Sequence, residues 1–87
     1  MTALNLTIAS KSGGKLFRFD TEKAKQPPII GGRTGAAITD KVLTDEMEAT
    51  VRGLYDGAVS YDYAQSFFAE MHRRGLLNGT DLRVALP

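Results

Sequence analysis

One stretch, residues 60–77 with the sequence SYDYAQSFFAEMHRRGLL, constrains the fold more than any other part of the chain. Its apolar residues recur three and four positions apart, which places them on one side of an α-helix. These residues are Ala64, Phe67, Phe68 and Met71. Ser60 is a suitable N-cap, and Gly75, which follows two arginines, is a suitable end. The rest of the chain must therefore cover a phenylalanine-rich helix face.

Three other regions have the alternating pattern of β-strands. Residues 4–8 alternate apolar and polar residues, and residues 15–19 place two phenylalanines on one face. Between them, residues 10–14 contain two glycines, which supply the backbone freedom that a hairpin turn needs. We therefore expect an antiparallel hairpin. Residues 81–86 alternate in the same way and predict a third strand.

A second amphipathic helix is predicted between the hairpin and residue 60. Its apolar face consists of Leu43, Met47, Val51, Leu54 and Tyr55. Thr44 is the preferred N-cap, with Thr39 as the alternative one turn earlier. Gly57 ends this helix, while Gly53 weakens its last turn and allows another segment to approach closely.

The short link between the two helices favours antiparallel neighbours on one side of a sheet. The stretch at about residues 20–38 is predicted to be a long loop, in which Ile29 and Ile30 anchor the chain against the core or form a short edge strand. We therefore expect one compact α+β domain over residues 1–87, of order ββααβ. Its small antiparallel β-sheet, the N-terminal hairpin plus the C-terminal strand, packs against an antiparallel helical pair.

Composition limits the expected setting and partners. The 87 residues include no cysteine, so disulfides and thiolate metal sites cannot supplement a thin core, which favours a partner or a homo-oligomer. Without a signal-like start or a membrane-length apolar stretch, we expect a cytoplasmic protein with no membrane contact. The net charge is +1, but residues 1–41 have seven basic and three acidic residues (+4), and residues 42–87 have four and seven (−3). Such asymmetry can steer a partner or let copies attract each other.

Three features have a catalytic or ligand-binding interpretation, and each has a simpler one. His72 is the only histidine, and no nucleophile or ligand set can be assembled around it from the sequence. The acidic residues Asp45, Glu46 and Glu48 suit the start of a helix. Residues 31–35, GGRTG, lack the Walker spacing of a phosphate loop. We therefore expect no enzyme, with no catalytic, cofactor-binding or metal-binding residues and no cofactor.

The favoured hypothesis is a small protein-interaction module, such as an accessory subunit, an adaptor or an inhibitor that binds a larger protein. Its expected contacts are basic residues of the hairpin and loop, tyrosines at the helix corner and arginines at the end of the second helix. These partner-binding candidates are Lys11, Lys15, Arg18, Arg33, Tyr61, Tyr63, Arg73 and Arg74. Tyr63 is the strongest single candidate because its helical position lies off the main apolar stripe, near Arg74.

The alternative is a nucleic-acid-binding regulator that uses the basic hairpin and loop together with Arg73, Arg74 and Arg83. Residues 71–86, MHRRGLLNGTDLRVAL, resemble the end of a winged-helix DNA-binding domain, in which a helix ending in RGLL precedes a turn and a strand with D-x-R. The helix triplet that this family has upstream is missing, because the N-terminal half has the pattern of a hairpin and a loop. The resemblance adds weight to the alternative without assigning the chain to the family.

Overall fold

The structure, a computed structural model, describes residues 3–24, 29–30, 32–33, 37–77 and 81–86. Its elements are β1 (Ala3–Ser10), β2 (Gly13–Asp20), α1 (Asp40–Asp56), α2 (Tyr61–Arg73) and β3 (Asp81–Ala85). The predicted α+β fold of order ββααβ is confirmed, as are the hairpin and the two helices.

The three strands form one mixed sheet in the order β2-β1-β3. β1 and β2 are the antiparallel hairpin, in which Leu4 is paired with Phe19 and Ile8 with Lys15. β3 extends the sheet on the other side of β1 and runs parallel to it, with Leu82 beside Leu6. The expected antiparallel pairing is therefore confirmed for the hairpin and wrong for β3. This parallel pair is possible because the helices between β1 and β3 return the chain to the end of the sheet at which β1 began.

Helix α1 begins one turn earlier than the preferred prediction, so the choice of Thr44 as N-cap was wrong. Thr39 has an extended backbone, and its hydroxyl accepts a hydrogen bond from the Val42 amide at 3.2 Å. Thr44 lies inside the helix, where its hydroxyl donates to the carbonyl oxygens of Asp40 and Lys41. A threonine can form such bonds within a helix, so its presence alone does not mark a helix start.

The acidic residues assigned to the helix start consequently lie further along α1. Asp40 is the acidic residue of the first turn. The Asp45 carboxylate is 2.6 Å from the Lys41 ammonium, and the Glu48 carboxylate is 3.2 Å from the Arg52 guanidinium. These pairs are four residues apart on the exposed helix surface, where each contributes about 0.2–0.5 kcal/mol.

Both helices are followed, as predicted, by glycines in the left-handed conformation. After α1, Gly57 has a φ of 80°, and the next amide donates to the Gly53 carbonyl oxygen at 2.8 Å. After α2, Gly75 has a φ of 73°, and the next amide donates to the Met71 carbonyl oxygen at 3.0 Å. Each pattern is a Schellman motif, which satisfies carbonyl groups that a helix end leaves unpaired.

The core lies between one face of the sheet and the two helices. Phe19 of β2 is fully buried, with its ring centroid 5.0 Å from that of Tyr61 and 5.5 Å from that of Phe68. Phe67 meets Phe68 edge-on at 5.4 Å. Such aromatic pairs add about 0.5–1.5 kcal/mol each beyond the burial of their area. The other buried apolar residues of these elements include Leu4, Leu6, Ile8, Leu43, Val51, Leu54, Ala64 and Met71.

The segment before α1 is held to the core by isoleucines. Ile38 is fully buried and Ile30 nearly so, whereas Ile29 is 66% exposed. The backbones of Ile30 and Arg33 form two hydrogen bonds of 2.9 and 3.0 Å. The anchoring prediction is therefore confirmed for Ile30 and wrong for Ile29.

Gly53 is the place where α1 lies closest to the link between the helices. A Cβ atom at this position would overlap Cγ2 of Val59. We expect Gly53→Ala to lower the free energy of unfolding by about 1 kcal/mol, because overpacking costs about 1–3 kcal/mol and exceeds the roughly 1 kcal/mol that alanine gains in helix propensity. Urea unfolding followed by circular dichroism measures this change.

Val59→Ala is the matched background, since it removes the overlapping methyl group. There, Gly53→Ala should raise stability, so that the two substitutions show a clear coupling energy. Stabilisation by Gly53→Ala in the wild-type background would show that the contact with Val59 does not explain the glycine.

Candidate interaction surface

Both described helices pack on one face of the sheet, and we call the opposite face the open face. Side chains alternate along a strand, so the residues between the core-facing positions point to this side. The central part of the open face consists of Asn5, Thr7, Leu16, Arg18, Asp81 and Arg83. Together they line a depression of about 340 Å³. Each strand of the sheet therefore contributes two residues to one continuous surface. At the end of β2, Asp20 points to the same side, and its carboxylate lies 3.8 Å from the Lys23 ammonium.

Leu16 is the most exposed large apolar side chain among the described residues, at 69% exposure. The strand register places it beside Thr7, which has Arg83 on its other side. Arg18 lies two residues further along β2 and points to the same face. An apolar side chain beside arginines on a flat sheet has the composition of a protein interface, in which arginine is enriched.

The charges of the open face are only partly compensated. The Asp81 carboxylate accepts a hydrogen bond from the Asn5 side-chain amide at 2.9 Å. Within the part of the chain that the structure describes, neither Arg18 nor Arg83 forms an ion pair. Both guanidinium groups are therefore available to an acidic ligand.

Lys15 lies on the helix side of the sheet, not on the open face. Its ammonium donates to the Tyr55 carbonyl oxygen at 2.8 Å and lies 4.7 Å from the centroid of the Tyr55 ring. The Tyr55 hydroxyl is also 2.6 Å from the Ser10 hydroxyl. A cation is stabilised near the carbonyl groups of a helix C-terminus and over an aromatic ring. These contacts fasten the hairpin to the end of α1 and occupy the Lys15 ammonium.

Tyr61 connects α2 to the outer edge of β2. Its ring packs on Phe19, and its hydroxyl donates a hydrogen bond to the Arg18 carbonyl oxygen. One turn later, the Gln65 side chain accepts a hydrogen bond from the Asp20 amide at 3.3 Å. Side chains of α2 thus satisfy two backbone groups that face away from β1, which protects this edge of the sheet.

Arg73 and Arg74 form a cluster of ion pairs at the end of α2. Their guanidinium groups lie 2.8 and 3.2 Å from the Glu70 carboxylate. Arg74 also reaches Asp40 at 3.1 Å and so joins the two helices. Burial alone would raise the pKa of Glu70, but hydrogen bonds from both arginines and their positive charges outweigh it, so the pKa of this carboxyl is lowered.

Tyr63 lies in a groove of about 490 Å³ between the helices. Its ring is half-buried and 6.4 Å from that of Phe67. Burial raises the pKa of the Tyr63 hydroxyl, and the nearby negative charge of Glu46 raises it further. Tyr63 is thus accessible beside the core, on the opposite side of the sheet from the open face.

The predicted partner-binding residues do not form one surface. Lys11 is exposed in the hairpin turn, and Arg33 is exposed in the segment before α1. Residues 31, 34 and 35 of the glycine-rich segment lie outside the described residues. Of these candidates, Arg18 lies on the open face, as does Arg83, which was predicted for the nucleic-acid alternative. Leu16 and Thr7 were not predicted. Leu16 and Thr7 alternate with core-facing residues. Once both helices are assigned to one side of the sheet, this alternation predicts that the two residues lie on the other side.

The described residues include no group of three or more histidine and acidic side chains placed to hold a metal ion. His72 is half-buried on α2. None of the described helices combines the length and the apolar character required to cross a membrane.

Comparisons of the chain with protein-family models, with curated proteins and with solved structures found no match. The geometry of the surfaces is therefore the basis for a functional proposal.

The Glu70 cluster makes stability depend on pH. Because folding lowers the pKa of Glu70, its contribution is fully present above the unfolded value of about 4.3 and is lost as the pH falls through the lower folded value. Glu70→Gln should therefore destabilise the protein near neutral pH, and its difference from the wild type should shrink below about pH 4. Urea unfolding over this pH range measures both stabilities.

Glu48→Gln is the control, since it removes an exposed carboxylate from an ion pair within one helix. It should change stability by less than about 0.5 kcal/mol. A constant difference between Glu70→Gln and the wild type from neutral to acidic pH would contradict the assignment.

Proposed function

We propose that this chain is a small non-enzymatic protein-interaction module that binds its partner through the open face. The observation that carries the proposal is Leu16, which is 69% exposed on a sheet whose other face is packed against the helices. Fully burying a leucine side chain is favourable by about 1.5–3 kcal/mol, which corresponds to about a tenfold or greater gain in affinity. Contact at Leu16 would therefore make a large contribution to binding.

The charge of the open face supports a partner that carries acidic groups. Arg18 and Arg83 lie near Leu16, and neither forms an ion pair within the described residues. A guanidinium group binds a carboxylate through two parallel hydrogen bonds, which makes such contacts strong and oriented. The complementary partner is a protein surface with an apolar patch bordered by aspartate or glutamate side chains.

Nucleic-acid binding is the second candidate function, and the two arginines Arg18 and Arg83 are the observation that favours it, because guanidinium groups also bind phosphates. Three features favour a protein instead. Leu16 places an apolar group where a phosphate backbone has none to contact, and Asp81 adds a negative charge to the same face. In addition, the Lys15 ammonium of the predicted basic hairpin is already bound to α1.

Within this class, an accessory subunit, an adaptor and an inhibitor all act through contact alone. The proposed location is the cytoplasm, since a chain without cysteine requires no oxidising compartment. A second copy of the chain is a further proposed partner, through the outer edge of β3, whose residues Asp81 and Arg83 also belong to the open face.

The double variant Leu16→Thr/Arg18→Gln tests the open face. It removes the apolar and the charged group, and threonine is β-branched and therefore well suited to a strand. Tagged wild-type and variant chains are used to capture partners from an extract of the organism in which the protein occurs naturally, with and without nuclease. We expect a protein that resists nuclease treatment and whose recovery falls about tenfold or more with the variant.

Ile29→Thr is the matched control, because Ile29 is 66% exposed and is not among the residues of the open face. It should retain the partner, and circular dichroism should show that both variants fold, since such surface changes alter stability by about 0.5 kcal/mol or less. Equal recovery with the double variant would contradict the proposal. Loss of all binding after nuclease treatment would favour the nucleic-acid alternative.

A further inference from the structure

The two outer edges of the sheet differ in how they are covered. On β2, the side chains of Tyr61 and Gln65 bind backbone groups of Arg18 and Asp20. On β3, the sheet ends: among the described residues, no further strand is paired with its outer side. An uncovered edge strand is a template for pairing with another strand. Within the described part of the chain, the sheet is therefore protected at β2 and open to extension at β3.

The register shows which backbone groups of β3 face outward. The Leu86 amide donates to the Ala9 carbonyl oxygen at 2.7 Å, in the direction of β1. Backbone groups alternate in direction along a strand, so the N–H and C=O groups of the even-numbered residues of β3 point toward β1. The N–H and C=O groups of Asp81, Arg83 and Ala85 consequently face outward, where an added strand would bind them.

A groove of about 320 Å³ lies beside this edge, between β3 and α1. Its apolar lining includes Met47 and Val51 from α1 and Val84 and Leu86 from the C-terminal segment. A strand added to the edge would direct every second side chain to this side of the sheet. The groove therefore offers apolar surface to whatever pairs with β3.

We propose that a second copy of this chain pairs with the edge, β3 against β3 in antiparallel orientation, about a two-fold axis at Leu82. In this register, Asp81 of each copy lies opposite Arg83 of the other, and the outward backbone groups of both residues face each other. The two cross-strand pairs of opposite charge are both favourable, and the interface is the same on each copy, as two-fold symmetry requires.

The order of charges on β3 selects both this register and this partner. An axis at Arg83 would place two arginines directly opposite each other, which is unfavourable. An axis at Val84 would place Arg83 opposite Ala85, with no compensating charge. Asp81 and Arg83 carry opposite charges, lie two residues apart, and both have backbone groups that point away from β1. The edge is therefore complementary to a second copy of itself.

Pairing of this kind produces a six-stranded sheet in the order β2-β1-β3-β3-β1-β2. The two Leu82 side chains meet at the axis on the helix side. With strands about 4.8 Å apart, the two copies of Leu16 would lie about 24 Å apart on one continuous open face. The inference goes beyond the proposed function, because it depends on the β3 edge and not on Leu16 or Arg18.

Charge exchange at the edge tests the pairing. Sedimentation velocity over a wide range of concentrations should show the wild type in equilibrium between the 9.4 kDa monomer and a dimer. Asp81→Arg and Arg83→Asp each convert both attractive pairs into repulsive ones, so each should weaken the dimer about tenfold or more. The double variant restores opposite charges and should dimerise almost as well as the wild type. An equimolar mixture of the two single variants should form heterodimers.

Three results would overturn the proposal: a wild type that stays monomeric at every concentration, a dimer that the single substitutions do not weaken, and a folded double variant that does not recover dimerisation.

Hydrogen exchange of the unmodified chain tests the pairing of the β3 strands even where a variant fails to fold. The Asp81 and Arg83 amides should exchange with deuterium more slowly at concentrations at which the dimer forms. Exchange that is independent of concentration would overturn the pairing. Loss of the open-face partner with Leu16→Thr/Arg18→Gln would not affect either result, so the two proposals fail separately.

Discussion

The burial of Phe19 between Phe68 and Tyr61 is the contact on which the rest of the structure depends. It joins β2 to α2 and determines which face of the sheet the helices cover. Because side chains alternate along a strand, burying Phe19 directs its neighbours Leu16 and Arg18 to the other face. A slip of one residue would bury the arginine and expose the phenylalanine, so the register is strongly specified. The contact that closes the core thus also creates the open face.

The distribution of charge follows from the same arrangement. On the helix side, Lys15 binds the end of α1, and Arg73 and Arg74 bind Glu70. Lys15 and Arg74 join separate elements, whereas Arg73 is paired within α2, and these cations are not concentrated in one basic surface. Arg18 and Arg83, by contrast, emerge on the face that the described helices do not cover. The proposed recognition surface therefore lies on the sheet, although the sequence has more basic residues elsewhere.

Local patterns predicted the elements and their order because they depend on near neighbours. The apolar stripe of α2, its N-cap at Ser60 and the left-handed glycines after both helices were all predictable from spacing. The start of α1 was not, because Thr39 and Thr44 are both competent caps, and only packing of the apolar face decides between them. The parallel direction of β3 was not predictable either, because alternation has the same period in parallel and antiparallel strands.

The candidate site was less accessible to sequence reasoning than the fold. Arg18 was predicted from charge, but Leu16 has the pattern of an ordinary strand residue until the helices are placed on the other face. Lys15 was predicted to bind a partner, yet its ammonium contacts Tyr55, which is 40 residues away in the chain. Contacts between distant residues decide which cations are engaged within the fold, and spacing along the sequence does not reveal them.

Site-specific photocrosslinking tests the central claim, that the open face is the binding surface, most directly. A photoreactive amino acid replaces Leu16 in one form of the protein and Ile29 in another, both at exposed positions, and the forms are irradiated in the producing organism. We expect a defined protein adduct from position 16 that is missing from position 29, with the attachment site next to aspartate or glutamate residues of the partner. The same adducts from both positions, or an adduct at position 16 to nucleic acid alone, would contradict the account.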